Sequence, residues 1–179
     1  MESLTIYLNT KCNIACDYCF VIKKDDVFMD RSRLEKILRW FVGQEGQEKR
    51  ISFLGGEPLL SANLLGGLKN FLRGINTGKK IVIKDIPTNG ILLNEAILAS
   101  LKEEGIRLVF SLDGAQFEHN KFRIRNKAVL FSKILNNIEL YKKYYGVPAI
   151  KCTVHPEMAK DLDKRIAEFL NKGFRNIHI

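Results

Sequence analysis

Short runs rich in Ile, Leu, Val and Phe alternate along the whole chain with stretches of helical periodicity, and this alternation restricts the fold more than any other feature. The runs at 4–8, 50–54, 80–86, 106–112, 149–154 and 174–179 predict six strands. Between the first two, Leu34, Ile37, Leu38, Phe41 and Val42 share one helical face, and Ser32 with Glu35 forms a capping box ahead of them. Leu64, Leu65, Leu68, Phe71, Leu72 and Ile75 repeat the spacing after an expected N-cap at Ser61, and Asn94 precedes Ile97, Leu98 and Leu101 with a stop at Gly105. A fourth helix through Phe131, Ile134, Leu135 and Ile138 ends near Gly146, and a fifth through Leu162, Ile166, Phe169 and Leu170 ends near Gly173. Strands joined by helices run parallel, as an open sheet or as a whole or partial barrel, and periodicity alone leaves both open. In either case loops at the C-terminal ends of the strands carry the chemistry.

The chain has 179 residues, enough for one core, and no linker or low-complexity stretch divides it. It has no apolar run of about 18 residues, and its N-terminus lacks the basic and apolar regions of a signal peptide. A soluble, cytoplasmic protein is expected, with no membrane partner. The formal net charge is +9, and Lys121, Arg123, Arg125 and Lys127 concentrate part of it. A solvated face is the plain reading of that segment; an acidic leader peptide or an acidic electron donor such as a flavodoxin is the functional one. Stacking aromatics or a known module in support of nucleic-acid binding are missing, so no nucleic-acid partner is expected.

Four motifs follow four of the strands. Cys12, Cys16 and Cys19 follow the first, Gly55-Gly56-Glu57-Pro58 the second, Thr88-Asn89-Gly90 the third and Ser111-Leu112-Asp113-Gly114 the fourth. Unrelated turn residues have no reason to converge on one end of a sheet. Clustered cysteines in a reducing compartment bind metal or do redox work. Three thiolates suit three irons of a [4Fe-4S] cubane, leaving one iron open to an outside ligand. A zinc site would want four ligands, and neither His119 nor Cys152 lies at a short finger spacing from the others. Packing as small hydrophobes fits poorly with the polar neighbours Lys11, Asn13 and Asp17.

The C-x3-C-x2-C spacing, with Tyr18 before its last cysteine, resembles the signature of the radical S-adenosylmethionine (SAM) superfamily. The resemblance implies that Cys12, Cys16 and Cys19 bind iron, that SAM chelates the open iron, and that Tyr18 lies against adenine. Gly55-Gly56-Glu57-Pro58 resembles the family's GGEP motif, which implies a backbone and an acidic side chain that receive the amino group of SAM; glycines admit close approach and Pro58 stiffens the exit. Ser111 and Asp113 point the same way from a strand, with Asp113 suited to ribose hydroxyls and a simple turn as the bland alternative. The stretch from Ser111 to Arg123 resembles a segment of radical SAM peptide and protein maturases, including anaerobic sulfatase-maturating enzymes. That match implies that Arg123 pairs with the SAM carboxylate, with Arg125 as competitor, and that His119 is scaffolding. Thr88 and Asn89 match an element that lines the SAM and substrate pocket, with an Asn-Gly turn as the alternative. Cys152 reads as core, and Val154 touches adenine by positional analogy alone.

Asn126 departs from the maturase pattern, which has glycine there, and the sequence stops in or just after strand six without the cysteine-rich SPASM or twitch extension. The expected fold is therefore α/β, a partial (β/α)6 TIM-like barrel truncated at or just after strand six, forming one radical SAM core domain over residues 1–179. Its apolar last strand, with Phe174, Ile177 and Ile179, is expected to want a cover. The expected function is reductive cleavage of SAM at a [4Fe-4S] cluster to a 5'-deoxyadenosyl radical, for modification of a peptide or protein. A radical SAM enzyme of small metabolites and an idle iron-sulfur or zinc module are the alternatives.

Overall fold

The structure, a computed structural model, describes residues 1–21, 26–76, 78–124 and 128–179. Arg125, Asn126 and Lys127, named above, lie outside the described residues. The chain folds as two compact units, one of Met1–Cys12, Val21–Ile86 and Ala96–Arg107, the other of Asn13–Phe20, Pro87–Glu95 and Leu108–Ile179.

In the first unit β1 (Ser3–Tyr7), β2 (Glu48–Leu54) and β3 (Lys80–Ile83) form a parallel sheet in that order. Alternate residues of β2, Ile51 and Phe53, are buried, and helix α1 (Arg31–Gly43) buries Leu34, Leu38, Phe41 and Val42 at the spacing of one helical stripe. The cap of α1 is not the expected Ser32. Asp30 takes that place, its carboxylate accepting from the Arg33 amide at 2.7 Å, so the helix starts before the serine. Ser61 is likewise no cap: it lies inside a 3-10 segment, Pro58–Leu64, and α2 (Leu68–Ile75) begins after Gly67, whose φ is 72°. Both oxygens of Glu104, at the end of α3 (Glu95–Glu104), take the amides of Gly67 and Lys69 and so satisfy the start of α2. Gly105 ends α3 with φ 69°, as its position implied.

The single strand expected at 80–86 is two. The Lys84 amide still bonds Ile51, continuing the β3 ladder, whereas the Ile86 amide bonds Arg107, and β4 (Ile86–Thr88) starts there. The backbone changes partner across Asp85.

The second sheet has the order β4, β5 (Leu108–Ser111), β6 (Ala149–Lys151), β7 (Ile177–His178), with β5, β6 and β7 parallel. Behind β5, the Phe110 and Tyr141 rings meet edge to face at 5.3 Å, and the Tyr141 hydroxyl accepts from the Leu108 amide. Tyr141 comes from α5 (Ala128–Tyr145), which Gly146 ends with φ 76°. Helix α7 (Leu162–Asn171) packs Phe169 against Phe174, so Phe174 is buried rather than part of an open strand face, while Ile179 stays exposed. Strand β6 stops short of the expected Val154 because the Thr153 amide leaves the ladder for the Asp113 carboxylate at 2.9 Å. Two short helices, α4 (Gln116–His119), continued by a π-turn over Asn120–Ile124, and α6 (Pro156–Ala159), are too brief for periodicity to announce. Parallel strands alternating with helices make the α/β class expected from the sequence. No helix among the described residues is long and apolar enough to cross a membrane.

Candidate functional site

Strands β1 and β2 run parallel, so the chain leaves both at the same edge of their sheet. The ladder outlasts the strands. The Leu8 amide bonds Leu54 at 2.8 Å, the Gly56 amide bonds Asn9 at 3.1 Å and the Glu57 amide bonds Lys11 at 2.7 Å, which zips the Gly-Gly-Glu-Pro turn to the residues just before Cys12. The contact is close enough to dictate glycine. A Cβ on Gly56 would fall 2.1 Å from the Lys11 carbonyl oxygen, and one on Gly55 3.1 Å from that of Asn9. What approaches Gly56 so closely is the chain's own backbone at Thr10 and Lys11.

Two further side chains, Glu57 and Asn9, hold this turn. Glu57, read as an acceptor for an amino group, is 1 % exposed and turns inward, its carboxylate accepting from the Leu59 amide at 3.0 Å to cap the 3-10 segment; the Pro58 that follows is buried. Asn9, which no motif singled out, is buried and donates from Nδ2 to the Glu57 carbonyl and to Ser61 Oγ at 2.8 Å. The signal for it was present: an amide side chain at the end of an apolar strand, ahead of the cysteines, has a hydrogen-bonding task if it is buried.

In the second unit, residues 13–20 form the loop that holds Cys16 and Cys19. The Cys19 amide bonds the Cys16 carbonyl, the Asp17 amide bonds the Phe122 carbonyl at 2.9 Å, and Asn89 Nδ2 donates to Asn13 Oδ1 at 2.7 Å. Thr88 and Asn89 are buried and close a turn, Thr88 Oγ1 accepting from Gly90 and Asn89 Oδ1 from Ile91. The Asn-Gly turn expected as the plain alternative is present, and Asn89 also bonds Asn13 of the loop that holds Cys16 and Cys19. Ser111 ends β5 half-buried, and Val154 is half-buried after β6.

Asp113 is the centre of this unit's site. Its Oδ1 accepts from Arg123 Nη2 and the Thr153 amide, and its Oδ2 from Arg123 Nε and the Tyr18 hydroxyl, the two guanidinium bonds each 2.9 Å long. All four acceptor positions of a fully buried carboxylate are therefore taken inside the protein. Burial alone would raise the Asp113 pKa, but the hydrogen bonds and charge of Arg123, with those of Tyr18 and Thr153, outweigh it and hold it below the usual range. Burial likewise opposes the charge on Arg123, and Asp113 more than restores it, so the guanidinium stays protonated.

Arg123 was counted in a basic surface, yet it is 7 % exposed. Its guanidinium stands 5.4 Å from the Tyr18 ring centre, and Nη1 faces Cys16 Sγ at 4.0 Å. Burial raises the Tyr18 phenol well above its ordinary pKa, and the charge of Arg123 only partly opposes this. His119 is fully buried, accepts on Nδ1 from the Asp113 amide at 3.3 Å, and has its pKa pushed down to about 4 by burial and by the charge of Arg123. It is scaffolding for the Asp113 loop. Lys121, in the same segment and exposed, pairs with Glu157.

None of the four cysteines is in a disulfide; Cys12 and Cys16 are half-buried and Cys19 is exposed, whereas Cys152 is buried and its thiol is pushed up to about 11 by burial and the Asp113 charge. Among the described residues no three His, Cys, Asp or Glu side chains converge as one metal ion requires. A cubane asks for something else, one thiolate at each of three irons, so three cysteine thiolates are the right donor chemistry for it, and in the second unit the Arg123 cation lies beside the Cys16 sulfur.

The sequence profile of the Radical SAM superfamily matches residues 6–173. A cysteine-type anaerobic sulfatase-maturating enzyme of Clostridium novyi is 30 % identical over 98 % of this chain and 50 % of its own length. A GTP 3',8-cyclase of Clostridium perfringens is 28 % identical over 98 % of this chain and 53 % of its own. The solved structure of native anSMEcpe with bound AdoMet and Cp18Cys peptide superposes with a TM-score of 0.86 at 29 % identity, covering 98 % of this chain and 49 % of that one. The chain spans about half the length of the relatives it matches. With its parallel α/β sheets, its cysteine spacing and a profile match over nearly all its length, the chain belongs to the radical SAM superfamily of enzymes.

Proposed function

We propose that this chain is the SAM-cleaving core of an enzyme that modifies a peptide or protein, with Cys12, Cys16 and Cys19 holding one [4Fe-4S] cluster. The observation that carries the reading is the way the cysteine loop is built. Residues 9–11, before Cys12, are zipped to the Gly-Gly-Glu-Pro turn, and residues 13–18 are tied to Asn89, Asp113, Phe122 and Arg123. So much backbone and side-chain bonding on a polar loop serves to fix ligand positions. When bound, the cluster, reduced by an outside donor, would supply the one electron that splits the SAM sulfonium into methionine and a 5'-deoxyadenosyl radical, which would take a hydrogen atom from the substrate. The protein's own residues do the rest. Asn9 and the Glu57 carboxylate hold the turn whose Gly55 backbone faces SAM, Asp113 fixes the Tyr18 ring for adenine, and Arg123 keeps Nη1 for the SAM carboxylate. Ser111 supplies a neutral hydrogen bond, and Thr88 and Asn89 brace the pocket wall.

The peptide assignment is supported by the sulfatase-maturating relatives and by the peptide-bound neighbour. A small-molecule substrate is the second reading, favoured by the likeness to the GTP 3',8-cyclase. Anaerobically reconstituted protein reduced with dithionite should release 5'-deoxyadenosine from SAM, faster with a cysteine-containing peptide than with GTP. Folded, reconstituted protein that binds no SAM by equilibrium titration would overturn the cofactor assignment. Acceleration by GTP alone would overturn the peptide.

A further inference from the structure

Arg123 carries more fixed geometry than a carboxylate partner for SAM needs. Two of its three nitrogens are committed to Asp113, at 2.9 Å each, and the plane of the fork is set by a carboxylate that the Thr153 amide and Tyr18 hydroxyl also hold. The remaining nitrogen, Nη1, is thereby aimed at Cys16 Sγ, 4.0 Å away, with Arg123 almost buried and Cys16 half-buried. That distance is long for a neutral thiol. Iron binds the thiolate, however, and a full negative charge on the sulfur draws a guanidinium that cannot leave.

We propose that Arg123, clamped by Asp113, donates from Nη1 to the Cys16 thiolate and raises the reduction potential of the cluster before SAM binds. This rests on the cluster assignment made above. Potentials of iron-sulfur clusters are set by net charge, by hydrogen bonds to sulfur and by access of water. Reduction adds one negative charge, and a fixed cation at a ligand sulfur stabilises that charge. Asp113 offsets part of the effect at long range, but it lies behind the guanidinium, bonded to the nitrogens other than Nη1. The charge seen by the sulfur is that of the near end. The consequence is a cluster within easier reach of a biological reductant.

The test is a redox titration without SAM, followed by electron paramagnetic resonance, on the reconstituted full chain and on Arg123→Lys, Arg123→Gln and the double variant Asp113→Asn with Arg123→Gln. Iron and sulfide are counted first. Both variants with Gln should show a reduction constant at least about tenfold lower, equivalent to about 59 mV for one electron. Arg123→Lys should fall between them and the wild type, since it keeps the charge and loses the fork. The double variant guards against misfolding, because it leaves no buried charge without a partner. Wild-type potentials in cluster-bearing variants would overturn the proposal and leave the cluster assignment standing. Loss of the cluster in all three variants would also overturn it, since a donor that only tunes the potential is dispensable for assembly. A wild-type chain that takes up no cluster would remove the underlying assignment.

Discussion

Replacing Gly56 by alanine should be among the most damaging single-methyl changes in this protein. The added Cβ would lie 2.1 Å from the Lys11 oxygen, 2.4 Å from the Lys11 carbonyl carbon and 2.7 Å from the Thr10 oxygen. An ordinary carbon-oxygen contact is about 3.3 Å, and all three atoms are backbone, so no side chain can turn away to relieve the overlap. Overpacking alone costs about 1–3 kcal/mol. Moving residues 10–11 away stretches the bonds from Gly56 to Asn9 and from Glu57 to Lys11, each worth about 0.5–1.5 kcal/mol net. The sum is about 2–6 kcal/mol, and at about 2–4 °C per kcal/mol for a chain of this size Tm should fall by roughly 4–24 °C. Gly43→Ala is the control. Nothing lies within 4 Å of a Cβ there, at the last residue of α1, so alanine should stabilise by about 0.5–1 kcal/mol. Melting followed by circular dichroism in anaerobic, reducing buffer reads both, and iron content after reconstitution reads whether Cys12 has moved. A Gly56→Ala protein that melts with the wild type and takes up its full iron would refute the argument.

Cys12→Ala, Cys16→Ala and Cys19→Ala should each lose most of the iron that the wild type takes up, about four per chain, while Cys152→Ala keeps it; unchanged iron and Mössbauer spectra in the first three would sink the ligand assignment. His119, neutral in the fold with a pKa of about 4 against 6.5 when exposed, is protonated in the unfolded chain first, so it costs stability as pH falls from about 6.5 to 4. The loss amounts to about 3 kcal/mol at the lower end, and His119→Gln, which can still accept from the Asp113 amide, should flatten the fall of Tm across that window; an equally steep fall would contradict it. Asp30→Ala should cost about 1 kcal/mol through the lost cap of α1 and Ser32→Ala close to nothing, as urea titrations of the two would show; the reverse order would restore Ser32 as the cap.

The α/β alternation was legible because buried strands and half-buried helices leave different periods, and Gly105, Gly146 and Gly173 mark helix ends for a steric reason that acts locally. The break at Lys84 and Asp85 was not, since both halves of that segment are apolar and only the choice of neighbouring strand divides them. Lys49 shows the same limit. It is fully buried in β2, with Nζ on the carbonyls of Met1 and Glu45, and no pattern of apolar residues places a lysine in a core. At the site, the cysteine spacing pointed to the superfamily that the profile match shows, and Tyr18 of that motif meets Asp113 and Arg123 of the segment after the fourth motif strand. Their directions did not follow. Whether Glu57 and Asp113 face a ligand or the protein depends on which amides are left over, and those belong to Leu59 and Thr153, which carry no motif.

One carboxylate thus holds the Thr153 amide, while Arg123, bonded to that same carboxylate, lies next to Phe122, whose carbonyl holds the Asp17 amide. Loop amides ordinarily exchange with solvent deuterium through their own small openings, independently of one another. Here an opening that frees one must disturb a buried ion pair, so the amides of Asp17, Asp113 and Thr153 are placed to exchange together, at a rate typical of a core element although none of them lies in a strand or helix. They would serve as three spectroscopic reporters of one cooperative event, and slow exchange at all three would mark the loop as a rigid part of the scaffold.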